Sequence, residues 1–378
     1  MEDAQKIQKV QKTGRRAVDW VLVIVIIILV LFGFLMVYSS SYPDGYYKFN
    51  GQPFYFLKKQ IIAALVGLAA MIFFTNINYK IYARLNKLIF LACIGFALLT
   101  IIIGVASNGA QRWINIAGIN FQPSEIIKIG GVLYMADFFD RNRRHISKFK
   151  NGFMASMLAI GVFCGLIAIQ DDLSTSIILG ATLMVMFFCA GAKIKHLVVL
   201  VMLGIAGIVG LIVIQPYRMT RVIVFFDPFK YIQNEGWQIV QSLYALGTGG
   251  LFGMGIGKSR QKFFYLPEPY NDFIFSIIGE ELGLIGCVVV MLLFVVFAWR
   301  GLRIAMNTED FYGSQVALGM TTLVLVQFII HVAVATSSMP PTGRALPFIS
   351  AGGSSLMFLL LSMGILLNIS KYSNTYRN

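Results

Sequence analysis

The stretch from Lys262 to Phe275 (KFFYLPEPYNDFIF) places a carboxylate, Asp272, where a long polar loop gives way to an apolar helix. Water and amphiphiles both reach such a boundary, yet an ionised acid there loses part of its hydration. Its pKa is then pushed upward, which makes it a usable general base. A carboxylate at a helix start also faces the positive end of the helix dipole, which lowers the pKa instead. These residues alone leave the two readings open. A second constellation is Gln122-Pro123-Ser124-Glu125-Ile126-Ile127-Lys128. Ser124 is placed to cap a helix, and Glu125 is favourable in its first turn. Lys128 lies three residues on, on the same face, so it can pair with Glu125. An ion pair in an apolar helix is either a functional pair or a structural clamp. A third group is a run of cations between Pro216 and Asn271: Arg218, Arg221, Lys230, Lys258, Arg260 and Lys262, against Asp227, Glu235 and Glu268. Such a surplus suits an anionic substrate, or the attraction of anionic lipid headgroups.

Other motifs carry less chemistry. The glycine-rich segment Gly247–Ser259 ends in Gly257-Lys258-Ser259, but Phe252 stands where a phosphate-binding loop needs glycine, and no strand precedes it. Its glycines are expected to let backbone pack closely in a re-entrant or broken helix. Trp237 to Leu246 has helical spacing with one apolar face, suited to the membrane surface. The segment Ser338–Ser355 holds three prolines, Pro340, Pro341 and Pro347, and reads as a rigid turn before a helix start of small residues. Cys93, Cys164, Cys189 and Cys287 all fall in apolar runs without paired spacing, so they read as core residues. His145, His196 and His331 are scattered, and no zinc cluster or Ser-His-Asp arrangement is evident.

The elements that must position these residues are membrane helices. The 378-residue chain is 57% hydrophobic and 13% charged, with mean hydropathy +0.75, which is too apolar for a soluble domain. Apolar runs long enough to cross a bilayer recur over roughly 18–38, 60–76, 88–106, 124–140, 152–170, 173–191, 196–215, 272–299, 313–337 and 352–370. The expected fold is therefore all-α: a polytopic integral membrane protein of about ten transmembrane helices. It forms one domain over 1–378, with a large structured extracellular loop at about 216–271. The first span lacks a small-x-small cleavage site and reads as an uncleaved anchor. Lys6, Lys9, Lys12, Arg15 and Arg16 precede it and place the N-terminus in the cytoplasm. Alternation of ten spans then puts Lys80, Arg84 and Lys87, the run Arg141 to Lys150, Lys193, Lys195, Arg300, Arg303, Lys371 and Arg377 on the same side. Both termini are expected to be cytoplasmic.

In order along the chain stand Asn108-Gly109, Arg112-Trp113, Gln122-Pro-Ser-Glu125-x-x-Lys128, Gln241-Ser-Leu, Gly249-Gly250, Gly253-x-Gly255-x-Gly257-x-Ser259 and Gln261-Lys262-x-x-Tyr265-Leu-Pro-Glu268. Asp272-Phe-Ile-Phe, Glu280-Glu281-x-Gly283, Pro341-Thr-Gly343, Leu346-Pro-Phe and Gly352-Gly-Ser-Ser355 follow. From first span to last, these segments resemble the SEDS family (FtsW, RodA, SpoVE) of bacterial peptidoglycan glycosyltransferases. The stretch through Tyr265-Leu-Pro-Glu268 is nearer the FtsW/SpoVE branch.

The resemblance implies polymerisation of lipid II, an undecaprenyl-pyrophosphate-linked disaccharide-pentapeptide, on the outer face of the bacterial cytoplasmic membrane. It matches Asp272 to the family's essential aspartate, a general base for the acceptor sugar hydroxyl. The pyrophosphate leaving group calls for neutralisation by a divalent cation, magnesium or manganese, or by basic side chains. Arg112, Lys128, Arg221 and Lys262 are the candidates, with Glu125 beside Lys128; no metal ligands are assigned. No organic cofactor and no nucleic-acid partner are expected. The implied partner is a class B penicillin-binding protein, a single-pass transpeptidase whose helix would pack near the eighth and ninth spans, where Gly279, Gly283 and Gly286 offer small-residue spacing. The chain departs from the family in Gln170-Asp171-Asp172-Leu173, where Gln-Pro-Asp-Leu is frequent, and in Asn271, Pro341 and Ala351. A flippase for the same lipid and a non-catalytic scaffold that recruits a transpeptidase are the alternative functions.

Overall fold

The computed structural model describes residues 17–107, 110–116, 119–233 and 236–373. Lys6, Lys9, Lys12, Arg15, Arg16, Asn108, Gly109, Glu235 and Arg377 lie outside the described residues. Each of the ten expected spans contains a helix. They are α1 (Trp20–Lys48), α2 (Tyr55–Asn76), then after a short α3 (Lys80–Arg84), α4 (Asn86–Ile103). Three short strands, β1 (Val105–Ser107), β2 (Ala110–Ile116) and β3 (Ile119–Phe121), follow as an antiparallel meander. Then come α5 (Pro123–Arg141), a π-helical turn at Phe149–Met154 that leads into α6 (Ala155–Ala168), α7 (Leu173–Cys189) and α8 (Ile194–Ile214). The large loop holds α9 (Pro216–Phe226) and α10 (Trp237–Gly249), and α11 (Ile274–Asn307), α12 (Phe311–Ala335) and α13 (Gly353–Ser370) complete the chain.

Among the described residues, seven of these helices are long and apolar enough to cross a membrane: α1, α2, α4, α8, α11, α12 and α13. In the bundle α13 packs against α2, α12 lies between α11, α7 and α5, and α10 packs on α11. The meander at 105–121 connects α4 to α5. Its backbone groups pair with one another beside the membrane, where open polar backbone is costly. Helix α8 is the outlier: only Leu200 of its 21 residues is buried, so it packs little against the rest of the bundle.

Helix α1 begins at a buried ion pair. Asp19 caps it by accepting from Leu22 N–H at 3.0 Å, and Arg300 of α11 donates to the same carboxylate at 2.5 and 2.9 Å. The opposite end of α11 is held by a larger polar hub. At Gly283 the helix is broken (φ +68°, ψ −166°), a conformation that a Cβ would strain. The glycine-rich segment is laid into that break. Met254 N–H donates to the Glu280 carbonyl and Gly255 N–H to that of Glu281, while Leu284 N–H donates back to Gly250. A Cβ on Gly253 would lie 2.2 Å from the Glu281 carbonyl oxygen, so only glycine fits. Close backbone packing is thus the role of these glycines, as expected, in turns after α10 instead of a re-entrant helix.

The Glu280 and Glu281 side chains are fully buried. Glu280 accepts from Ser259 Oγ at 2.5 Å and Arg260 N–H at 2.8 Å. Glu281 accepts from Lys262 Nζ at 2.8 Å and from Ser39 Oγ at 2.7 Å. Lys262 is itself only 3% exposed. Its ammonium is engaged within the chain, in an ion pair with Glu281. Gly279 and Gly283 are likewise filled from within the chain, by Leu246 and by the backbone of Leu251 and Gly253. Their small size serves packing within the bundle.

Removing one member of a buried pair strands the other's charge, at a cost of about 3–5 kcal/mol. Lys262→Met is therefore expected to lower the melting temperature clearly, and Lys262→Met with Glu281→Met to recover much of the loss. Thermal unfolding in detergent reads both; a single variant as stable as the wild type contradicts the clamp.

Candidate functional site

Asp272 sits in the turn just ahead of α11, its N–H donating to the Glu268 carbonyl at 3.1 Å. Two neighbouring groups fix this turn. Ser350 Oγ donates to the Asn271 carbonyl at 2.7 Å, and Ala351 N–H donates to the Tyr270 carbonyl at 2.9 Å. The turn from Ser338 to Gly352 therefore carries Asp272 as well as facing it. Gln60 of α2 holds that turn from the far side, donating to the Ser350 carbonyl and accepting from Gly352 N–H. Gly343 comes closest: its φ is +63°, and a Cβ there would be 3.3 Å from Asp272 Oδ2. Only a residue free to adopt the left-handed conformation can follow Thr342 here.

The other oxygen, Asp272 Oδ1, is buried and accepts no hydrogen bond. Burial pushes the carboxyl up to about 6, and the Glu268 charge adds to it; the Arg344 and Arg221 guanidiniums pull the other way. Of the two effects weighed from sequence, desolvation wins over the helix dipole. Asp272 is followed by Phe273, whose backbone is non-helical, so the carboxylate stands outside the first turn. The outcome is an acid poised near neutrality, with an oxygen available to a proton.

Two guanidiniums, Arg221 and Arg344, act on it, and two more, Arg112 and Arg218, sit on the neighbouring Asp171. Arg221, on α9, donates from Nη1 to the Pro341 carbonyl at 3.0 Å. Arg344 donates from Nη2 to Asp172 Oδ1 at 2.5 Å. Arg112, on β2, donates to the Asp171 carbonyl at 2.5 Å. Arg218 donates to Asp171 Oδ1 at 3.3 Å, beside Gln215 Nε2 at 3.0 Å. The Asp171-Asp172 step is thus the hinge point between the strands, α7, α9 and the proline-rich turn. Asp172 also accepts from Gln122 Nε2 at 3.0 Å, Ser124 Oγ at 3.3 Å and Thr175 N–H at 3.1 Å. Burial opposes its ionisation, but Arg344, Arg112 and Thr175 outweigh it and hold its pKa below the usual carboxylate range. Asp171 and Asp172 are each paired with an arginine, Arg218 and Arg344 respectively.

Glu125 and Lys128 pair at 2.9 Å, both buried, as the spacing on α5 predicts. Ser124 does not cap α5, whose N-cap is Gln122; its hydroxyl turns to Asp172 instead. The pair lines a small cavity with Gln327 of α12 and Ser355, Phe358 and Leu359 of α13. Lys128 Nζ donates to Gln327 Oε1 at 3.3 Å, and Gln327 donates on to the Ala345 carbonyl at 2.9 Å. A relay of side chains thus links the Glu125–Lys128 pair to the turn that faces Asp272. Among the sequence candidates, the structure joins Arg112, Glu125, Lys128 and Arg221 to that neighbourhood and places Lys262 on Glu281.

Sequence reasoning missed Arg344 and His331. Arg344 was visible within a rigid turn but belongs to no charge cluster along the chain; its company is assembled by α7. His331 is buried within α12, and its Nδ1 is 2.7 Å from the Arg344 carbonyl oxygen. Nothing in its local sequence signals that role. Among the described residues, no three His, Cys, Asp or Glu side chains converge to hold a metal ion.

With this geometry in place, the likeness to known proteins is informative. A family profile described as the cell cycle protein group FtsW/RodA/SpoVE matches residues 19–375. Stage V sporulation protein E of Bacillus subtilis (strain 168) is 42% identical over 363 residues, 96% of this chain and 99% of that protein. A probable peptidoglycan glycosyltransferase FtsW of Geobacter sp. (strain M18) is 39% identical over 354 residues, covering 93% and 96% of the two chains. A chain from a solved peptidoglycan synthase complex, described as coordinating polymerization and crosslinking, superposes with a TM-score of 0.79 at 25% identity, over 96% of this chain and 99% of that one. Family profile, relatives and bundle agree from end to end: the chain is a multi-pass membrane protein of the FtsW/RodA/SpoVE family.

Proposed function

We propose that this protein is a peptidoglycan glycosyltransferase that polymerises lipid II during septal wall synthesis, in division or sporulation, with Asp272 as its general base. The observation that carries the assignment is Asp272 itself, a carboxylate poised near pH 6 with a buried oxygen that has no partner, flanked by guanidiniums. The curated relatives named as peptidoglycan glycosyltransferases supply the substrate class. In the reaction, Asp272 takes the proton of the acceptor sugar hydroxyl as that oxygen attacks the anomeric carbon of the growing strand. The bond from that carbon to the diphosphate oxygen breaks, and the lipid diphosphate departs with its electron pair. Charge on the leaving group develops where the site is richest in guanidinium, so stabilisation is electrostatic. A magnesium or manganese ion bound with the substrate's diphosphate would add to that charge neutralisation.

The proposed orientation puts Asp272, the 216–271 loop and the meander outside the cell and both termini in the cytoplasm, which satisfies the distribution of lysine and arginine between loops. Asn234, in the middle of that loop, lies outside the described residues, so Lys258, which is exposed, is the better reporter. A Lys258→Cys protein is expected to react with a membrane-impermeant maleimide added to intact cells; protection there, with reaction only after lysis, reverses the topology. The partner proposed is a class B penicillin-binding protein, whose single helix would lie on the apolar stripe of α11 formed by Leu284, Val288, Leu292, Val295 and Trp299, all largely exposed.

Asp272→Asn is nearly isosteric but cannot take a proton. It is expected to leave a folded, membrane-inserted protein whose polymerisation of lipid II falls by about 10²–10⁴. Gel analysis of glycan from purified protein, with and without the partner, measures this. Near-normal polymer from the Asn variant removes Asp272 from the mechanism. No polymer from the wild type with its partner present, alongside lipid II movement across vesicles, favours a flippase.

The pH dependence follows from the raised pKa. A base active as its anion loses rate as pH falls, so kcat/KM is expected to drop below about pH 6. Glu268 raises that pKa, so Glu268→Gln should shift the acid limb to lower pH while the plateau persists. An unmoved limb rejects Glu268 as the cause.

A further inference from the structure

We propose that Arg344 is the residue that binds the diphosphate of the lipid substrate, and that Asp172 is its resting partner, from which it is released when the diphosphate enters. The proposal rests on the glycosyltransferase reading for the identity of the anion. It is reached from the placement of the cations rather than from the charge pattern of the sequence.

Several cations stand near the site, but they are not equally available. Lys262 is locked on Glu281 and Ser39. Lys128 is locked between Glu125 and Gln327. Arg112, Arg218 and Arg221 each reach a backbone carbonyl: Asp171, Leu211 and Pro341 respectively. Those bonds tie down the strands and α9, and breaking them would open the fold around the site. Arg344 differs in that its side-chain bond, the ion pair with Asp172, ties down no backbone carbonyl. Its Nε is buried without a hydrogen-bond partner. A buried guanidinium with an unused donor is poorly satisfied, and an incoming anion with several acceptor oxygens satisfies it better.

Position agrees with availability. Arg344 follows Gly343, the residue packed against Asp272 Oδ2. The Arg344 backbone is fixed by His331, whose Nδ1 meets its carbonyl oxygen, and the next residue by Gln327. The side chain can therefore change partner while its base stays still. A rigid anchor under a mobile charge keeps the entropic cost of ordering low. Thr342 Oγ1, two residues before Arg344, is also buried without a partner, and Thr175 Oγ1 lies against Asp172. They are hydroxyls of the type that contact phosphate oxygens.

The partner tolerates the exchange. When Arg344 leaves, Asp172 still accepts from Gln122, Ser124 and Thr175. Three hydrogen bonds to a carboxylate can keep it ionised. The resting pair also avoids leaving a buried charge unpaired, which would be costly. Asp172 holds the cation until a stronger anion competes for it.

The test uses farnesyl diphosphate as probe and farnesol as control, titrated against the full-length protein in detergent, with binding read from intrinsic fluorescence. No turnover is needed, so failure of the glycosyltransferase reading, seen in the Asp272→Asn polymerisation assay, stays separate. Arg344→Gln is expected to weaken farnesyl diphosphate at least tenfold and leave farnesol unchanged, and Arg344→Lys to recover most of the loss. Asp172→Asn separates this role from a structural staple. Asparagine keeps the N-cap bond to Thr175 N–H but releases the guanidinium, so diphosphate should bind as tightly as to wild type or more tightly. If Arg344 merely staples the turn to α7, both variants lose affinity together. Equal binding by Arg344→Gln and wild type, or loss of binding in Asp172→Asn matching that in Arg344→Gln, overturns the proposal. If Arg344→Gln fails to fold, the Lys and Asp172→Asn proteins decide it by the same criteria.

Discussion

Keeping one carboxylate ionisable and reachable where the bilayer meets water is the constraint on which the outer end of this bundle depends. Buried charge near lipid is costly unless paired, and almost every acid at this end has been paired. Glu280 and Glu281 take backbone N–H groups, serines and Lys262; Asp171 takes Arg218 and Gln215; Asp172 takes Arg344 and three neutral donors. Asp272 is the exception, with a buried oxygen that receives nothing. Its isolation is built by backbone contacts from the turn at 338–352, which come close without offering Oδ1 a donor.

The same economy explains the irregular backbone. Between α10 and α11 the chain runs through a series of turns at the membrane boundary, where each open N–H or C=O is expensive. The break at Gly283 frees carbonyls of α11, and the glycine-rich segment supplies their donors. Polar side chains of Glu280 and Glu281 then bind the next few N–H groups of the loop. A loop that looks open in sequence is in this way as fully bonded as a helix. The turn holding Asp272 inherits that rigidity, because it lies between this hub and the first residues of α11.

The membrane helices were legible because a run of apolar residues near twenty long has few alternatives. The i,i+3 pair of Glu125 and Lys128 was legible for a similar reason: helical spacing fixes both residues on one face. Asp272 was legible as a charge at a polar–apolar boundary. What stayed hidden depends on contacts between segments far apart in the chain. Lys262 looked like a loop cation, yet Glu281, nineteen residues on in sequence and buried in the next helix, absorbs it. Arg344 and Asp172 are 172 residues apart, and no periodicity relates them. The strands at 105–121 were hidden because short pairings beside a membrane leave little alternation to read.

The departure at Asp171 shows how such hidden contacts change the meaning of a local difference. Where relatives of this family frequently carry proline, this chain has an aspartate with φ +56°. Proline fixes φ near −65° and has no N–H, whereas Asp171 N–H donates to the Ala168 carbonyl at 3.0 Å. The left-handed turn therefore cannot be a proline turn with one side chain exchanged. Its geometry brings the Asp171 carbonyl to Arg112 and its carboxylate to Arg218 and Gln215, so one residue ties the β meander, the α6–α7 turn and the α8–α9 junction together. That link matters most for α8, which has almost no other buried surface. The side-chain carboxylate that distinguishes this chain from the family pattern thus joins the Arg218 and Arg221 backbone contacts in holding α9 in place.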